Sequence, residues 1–230
     1  MHNYRQQLIR IWKKYQYWLA WAAVLLYNNW LLSLLLNPHA TAAGATTSEL
    51  GATDQPWNMV FRVLDSLSGL LFLLGAGAII KLGTSARLRG LLAFAVGVLG
   101  LSTIAESLLF PLNCSSALSR ACEQAEATGM VDWQHSFHIM ESVVSYVILA
   151  FLPLALLLVL RHRQNAYRLK EWSYGLLAFM LLWGVETLIK YMHNAGSYGI
   201  EQRFFIVIFS IWYLQALRLS RRGLEKFRQK

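Results

Sequence analysis

Asp132, His135, His138 and Glu141 recur at every third position of one stretch. On an α-helix a series stepped by three drifts about 60° per step. His135 therefore neighbours His138, and His138 neighbours Glu141, while Asp132 and Glu141 fall on opposite sides. Imidazole and carboxylate are the groups that move protons near neutral pH and bind divalent metals. A His-x-x-His pair can hold zinc or another divalent metal when carboxylates from other helices complete the sphere. Ser142 and Ser145 extend the stripe along an otherwise apolar run, and such a stripe faces a bundle interior rather than lipid. Three readings stand side by side: a hydrogen-bonded polar cluster without metal, a metal site, and interfacial histidines with no role.

Other ionisable groups lie inside apolar runs. Arg62 and Asp65 are three apart, Glu106 stands alone, Glu186, Lys190 and His193 are spaced four and then three, and Arg203 follows. Ion pairs that let charge sit among apolar helices explain them structurally. A charge placed there is costly, so each is also a candidate functional group. Five helices contribute at least one, which points to a single outward-facing polar pocket. Mixed charges suit a zwitterionic or anionic headgroup. They also suit acid–base hydrolysis of a lipid ester or amide, with His135, His138, Glu141 and Asp65 as the candidate catalytic groups.

Cys114 and Cys122 are the two cysteines of the chain, with seven residues between them. In an oxidising compartment a loop of this size closes a disulfide, which would brace a segment without a core of its own. Free thiols or a metal pair are the alternatives, and Cys-x7-Cys is not a recognised zinc spacing.

The elements that must position these groups are membrane helices. The chain has 230 residues, 56% hydrophobic and 14% charged, where soluble domains carry about 25% charged residues. Apolar runs predict six helices, about 17–36, 57–82, 88–110, 134–160, 171–193 and 200–219, in an all-α transmembrane bundle that is one domain. Residues 1–16 read as a basic lead-in and 220–230 as a basic tail. Asn37-Pro38 should end the first helix, and Pro56-Trp57 should open the second. Thr47-Ser48-Glu49 reads as turn and cap residues within the first outer loop. Gly69 with Ser66 and Ser68, and the glycines Gly97 and Gly100, would let helices approach closely.

All of the 21 Lys and Arg except Arg62, Arg120, Lys190 and Arg203 fall on one side of that topology. This places both termini in the cytoplasm. Of the 12 acids, only Glu171 and Glu225 fall on the same side. The net charge of +9 is thus a topology signal and argues against a nucleic-acid partner. Trp18, Trp57, Trp133, Trp172 and Tyr198 near the helix ends fit aromatic belts. A prokaryotic plasma membrane is the expected location, with no cleavable signal peptide. Membrane lipids are the expected partners, with a second copy or an envelope protein as further ones.

The sequence lacks a Gly-rich phosphate loop, His-Glu-x-x-His, a Gly-x-Ser-x-Gly elbow, a clear inverted repeat and an arginine ladder. It does carry a recognisable set of short stretches. Ser48-Glu49-Leu50, Gln55-Pro56-Trp57, Phe61-Arg62 with Asp65 and Gly69, Phe110-Pro111-Leu112-Asn113-Cys114 with Cys122, His135 with His138, and Gly199-Ile200-Glu201-Gln202-Arg203 occur in that order. Together they resemble the small prokaryotic membrane proteins grouped as domain-of-unknown-function family 998. Asn113 stands where that pattern has aspartate. The resemblance implies a six-helix membrane protein and no particular activity. By residue type alone, Asp65 and the histidines are similar to metal-dependent alkaline-ceramidase-like hydrolases, whose His-x-x-x-His spacing is absent. A headgroup or small-ligand binder is therefore the first expectation. A metal-dependent membrane hydrolase and a transporter or channel subunit are the alternatives.

Overall fold

The computed structural model of the protein describes residues 2–42, 44–80, 86–160, 167–192 and 198–227. The apolar runs are helical because a backbone in apolar surroundings must satisfy its own hydrogen bonds. Six long helices result: α1 (His2–Tyr27), α2 (Asn58–Ile80), α3 (Ala86–Ile104), α4 (Trp133–Leu160), α5 (Tyr167–Met192) and α6 (Gly199–Phe227). There is no strand among the described residues. Each helix packs on the next in sequence, and α6 returns to α1.

Four segments are long and apolar enough to cross a membrane: Asn58–Ile80, Ala86–Leu109, Trp133–Leu160 and Gly199–Arg218. The pair Tyr15–Tyr27 and Asn29–Leu36 makes a fifth if it is one span. Leu25, Leu35, Leu101, Phe151 and Leu182 are exposed on the helix flanks, a surface suited to lipid rather than water.

The first apolar run is not one straight helix. It breaks after Tyr27, passes through a 3-10 turn (Asn29–Leu32) and a short helix (Ser33–Leu36), and bends by 46°. Two side-chain amides account for the break. Asn28 donates to Val24 O at 2.8 Å and to Ser210 Oγ at 3.0 Å. Asn29 donates to Asp65 Oδ1 at 2.6 Å. The basic lead-in is continuous with α1, and α6 runs on through residues 220–227.

Backbones touch where α2 crosses α3. A Cβ on Gly69 would lie 2.8 Å from Gly100 O, and one on Gly100 would lie 2.7 Å from Gly69 O. Beside this crossing Phe72 is fully buried, with Tyr27, Phe209 and Tyr213 packed edge-on against it. Aromatic pairs of this kind add about 0.5–1.5 kcal/mol each beyond area burial. Buried Trp212 donates its indole N–H to Ser173 Oγ at 3.0 Å.

The connections at one end of the bundle carry short helices: Pro38–Ala42, Thr47–Leu50 and Arg120–Ala127. The last of these lies inside a stretch that reads as loop from its sequence, and Ser119 caps it by accepting from Cys122 N at 3.3 Å. α3 ends in a π-helical turn, Ala105–Leu109. His193 lies outside the described residues.

Candidate functional site

Glu49 holds two connections at this end of the bundle together. Thr46 and Glu49 form a capping box, in which Thr46 N donates to Glu49 Oε2 at 2.7 Å and Thr46 Oγ accepts from Glu49 N at 3.2 Å. The other oxygen, Oε1, accepts from Ser115 Oγ at 3.0 Å, Ser116 Oγ at 3.2 Å and Ala117 N at 2.9 Å. Thr53 N donates to Leu112 O at 2.9 Å, and Asp54 Oδ2 accepts from Ser115 N at 3.2 Å. Within this loop Cys114 and Cys122 form a disulfide. The spacing Thr-x-x-Glu is a known capping signature. It could have singled out Glu49, which reads from the sequence as one of several turn and cap residues.

The start of α6 docks on the same cap. Gly199 N donates to Gly44 O at 3.1 Å. Gln202 Oε1 accepts from Thr47 N at 2.5 Å and Thr47 Oγ at 2.9 Å. Arg203 donates to Ala45 O at 2.9 Å and lies over the Trp30 ring, 5.7 Å from its centroid. Lys190 pairs with Glu186 at 3.0 Å and with Glu201, and sits over the Tyr198 ring.

His135 is fully buried, and both of its ring nitrogens are engaged. Nδ1 accepts from Asn113 N at 3.2 Å, so Nε2 carries the hydrogen that goes to Glu126 Oε1 at 2.9 Å. Asp132 caps α4, accepting from His135 N at 2.8 Å, and its second oxygen accepts from the Asn113 amide. These hydrogen bonds, the one from His135 N first, hold the Asp132 carboxyl below its ordinary range. A carboxyl whose folded pKa is depressed adds stability above its unfolded value of about 3.9, and that stability is lost as pH falls through the folded value. Thermal unfolding of wild type and Asp132→Asn is therefore expected to differ at pH 7 in favour of wild type, with the gap closing toward pH 3. Asp132 is exposed, so screening keeps the gap small. A constant gap across that range would sink this reading.

The remaining site residues meet deeper in the bundle. His138 Nδ1 lies 2.6 Å from Phe110 O. A carbonyl only accepts, so Nδ1 bears the hydrogen and Nε2 keeps a bare lone pair. His138 is 4% exposed. One turn on, Glu141 Oε1 accepts from Ser145 Oγ at 2.6 Å. His138 Nε2 and Glu141 Oε2 are both buried without a hydrogen-bond partner among the described residues. Glu106, in the π-helical turn, accepts from Ser142 Oγ at 2.5 Å and faces the Glu141 carboxyl within hydrogen-bonding range. Asp65 is held by Asn29 at 2.6 Å and lies within electrostatic reach of Glu106.

Arg62 does not pair with Asp65, although the two share a helix face. It donates to Ser107 O at 2.7 Å, a carbonyl in the π-helical turn. Carbonyls at a helix end need partners from outside the helix, and Arg62 supplies one. Glu106 at the end of α3 thus faces Glu141 of α4, with Asp65 of α2 farther off and bonded to Asn29, and none of the three makes an ion pair to a base among the described residues. His135 and His138, neighbours by spacing, turn their ring nitrogens to the segment that precedes α4. Both nitrogens of one and one nitrogen of the other are committed to the loop. No three His, Cys, Asp or Glu side chains among the described residues come together in a way that could hold a metal ion.

A family described as protein of unknown function, DUF998, matches residues 20–218. The chain belongs to that family. No curated protein and no solved structure matches it. The short stretches that carry the DUF998 resemblance meet in the cap and the cluster beneath it. Glu49 bonds to residues 115–117, Gly199, Gln202 and Arg203 bond to residues 44–47, and Asn113 bonds to His135 and Asp132. An aspartate at 113 would set a second carboxylate against Asp132, whereas the asparagine amide donates to it.

Proposed function

We propose that this DUF998 protein is a six-span protein of a prokaryotic plasma membrane, with both termini in the cytoplasm. It binds a small polar ligand, such as a lipid headgroup, at the carboxyl–histidine cluster beneath its outer cap. The sided distribution of basic residues supports the orientation. For the sixth span, α5 is 26 residues long, and its Lys190 pairs with Glu186 of the same helix and Glu201 of α6.

The observation that carries the ligand reading is the pair of orphaned acceptors, His138 Nε2 and Glu141 Oε2. Leaving a buried polar atom unpaired costs about 1–3 kcal/mol. Two of them, one turn apart on α4, are better explained by a guest than by packing. At 1.5 Å per residue Glu141 lies about 12 Å along α4 from Trp133, and Asp65 lies about 10 Å along α2 from Asn58. That depth lies within reach of a headgroup in the outer leaflet.

The test is native mass spectrometry of the full chain extracted in mild detergent. Wild type is expected to carry a bound lipid or small molecule that a His138→Ala/Glu141→Gln double variant carries at about one-tenth the occupancy or less. Equal occupancy in a variant that remains folded would overturn the reading.

A further inference from the structure

We propose that Arg62 and the apolar flank of α2 below it seat one phospholipid, with the guanidinium gripping the lipid phosphate. This seat lies on the lipid-facing side of α2 and does not depend on the His138–Glu141 ligand. Arg62 stands in an apolar span and makes no ion pair among the described residues. Nε donates to Ser107 O at 2.7 Å, and Nη1 meets Met59 Sδ at 3.7 Å. A neutral carbonyl and a thioether leave the positive charge without a counter-charge. Nη2 donates to nothing among the described residues. The side chain is nonetheless held in place. Its stem runs beside Gly51, where a Cβ would lie 3.1 Å from Arg62 Cγ, and the Ser107 bond fixes its Nε edge. The edge left over, Nη1 with Nη2, is the planar fork that grips a phosphate through two parallel N–H bonds.

The surroundings and the depth suit a lipid. Met59, Val63, Leu67, Leu70 and Leu74 are all exposed, and their spacing of four, four, three and four puts them on one face of α2. Leu108, next to Ser107, is exposed beside them. α2 has 23 residues, about 34 Å, against a hydrocarbon core of about 30 Å. Its first turn therefore reaches the headgroup layer. Arg62 sits one turn in, and its contact with Met59 Sδ carries the guanidinium back toward that layer. A phosphate on the fork would leave its acyl chains lying along the stripe. Water can hydrate the fork but brings no charge, and a soluble anion brings charge but covers none of the stripe.

The full chain would be reconstituted in nanodiscs of phosphatidylcholine and monogalactosyldiacylglycerol in equal parts. Both lipids have two chains and no net charge, and only the first has a phosphate, so basic residues elsewhere do not bias the ratio. Lipid retained after transfer to mild detergent would be counted by native mass spectrometry. Wild type is expected to retain phosphatidylcholine about tenfold over the galactolipid. Arg62→Gln should bring that ratio close to parity. Arg62→Lys keeps the charge without the fork and should fall to about threefold. Equal retention of the two lipids by wild type, or a preference that survives in a folded Arg62→Gln protein, would overturn the seat. Should Arg62→Gln fail to fold, Arg62→Lys decides, and an undiminished ratio there would overturn the two-donor grip. A parallel arm would titrate inorganic phosphate into protein held in galactolipid alone. Saturable phosphate binding that is lost in Arg62→Lys, with no preference between the lipids, would overturn the lipid in favour of a soluble anion.

Discussion

Glu49→Ala is expected to destabilise the protein by about 3–5 kcal/mol and to loosen the cap formed by residues 44–54 and 112–117. The expectation follows from what Glu49 holds. Its carboxylate is 5% exposed and accepts from Thr46 N, Thr46 Oγ, Ser115 Oγ, Ser116 Oγ and Ala117 N. The hydroxyls can rotate to other partners when the acid is removed. The two backbone amides cannot, and each buried donor left unpaired costs about 1–3 kcal/mol. The capping box of Thr47–Leu50 goes with it, adding about 1 kcal/mol. Glu49→Gln keeps one acceptor oxygen and should lose roughly half as much. Thermal unfolding in detergent measures the stability. Modification of Cys114 and Cys122 after mild reduction measures the loosened loop. A Glu49→Ala protein that melts like wild type would mean that these donors are satisfied by water, and that the cap has no keystone.

The sequence makes the helical membrane architecture legible because membrane helices announce themselves. Apolar runs and the bias of Lys and Arg need no knowledge of contacts. The close approach of α2 and α3 is also legible, since Gly69 and Gly100 leave room for nothing but backbone. The partners of polar groups are a different matter. Arg62 and Asp65 share a helix face, yet one reaches a carbonyl freed by a π-helical turn and the other an amide where α1 breaks. The π-helical turn leaves no mark in the hydropathy, and the Asn28-Asn29 dip does not say that the helix bends there. His135 and His138 are neighbours by spacing, but the spacing cannot say that Asn113, Glu126 and Phe110 fill their nitrogens. Those partners come from a loop 9–28 residues away in sequence, whose path is set by a disulfide and by Glu49. Legibility therefore stops where a side chain's partner depends on how an irregular segment returns to the bundle.

Gly199→Ala tests that return most severely, and is expected to cost about 3 kcal/mol or more. Gly199 opens α6 with its N–H on Gly44 O at 3.1 Å. A Cβ at this position would collide with Gly44 O and Ala45 O. Both are backbone atoms, so no rotamer change can relieve the clash. The start of α6 would have to withdraw from the cap. Withdrawal would break the bonds of Gln202 to Thr47 N and Oγ and that of Arg203 to Ala45 O. Overpacking alone costs about 1–3 kcal/mol, and the lost hydrogen bonds add to it. Gly90→Ala supplies the control, because a Cβ there meets nothing within 4 Å. In a helix such a change should be stabilising by about 0.5–1 kcal/mol. The two variants make the same chemical change in opposite surroundings, so their melting temperatures should move in opposite directions. A Gly199→Ala protein as stable as the Gly90→Ala protein would mean that α6 does not dock on residues 44–47, and that the cap is held by Glu49 and the disulfide without it.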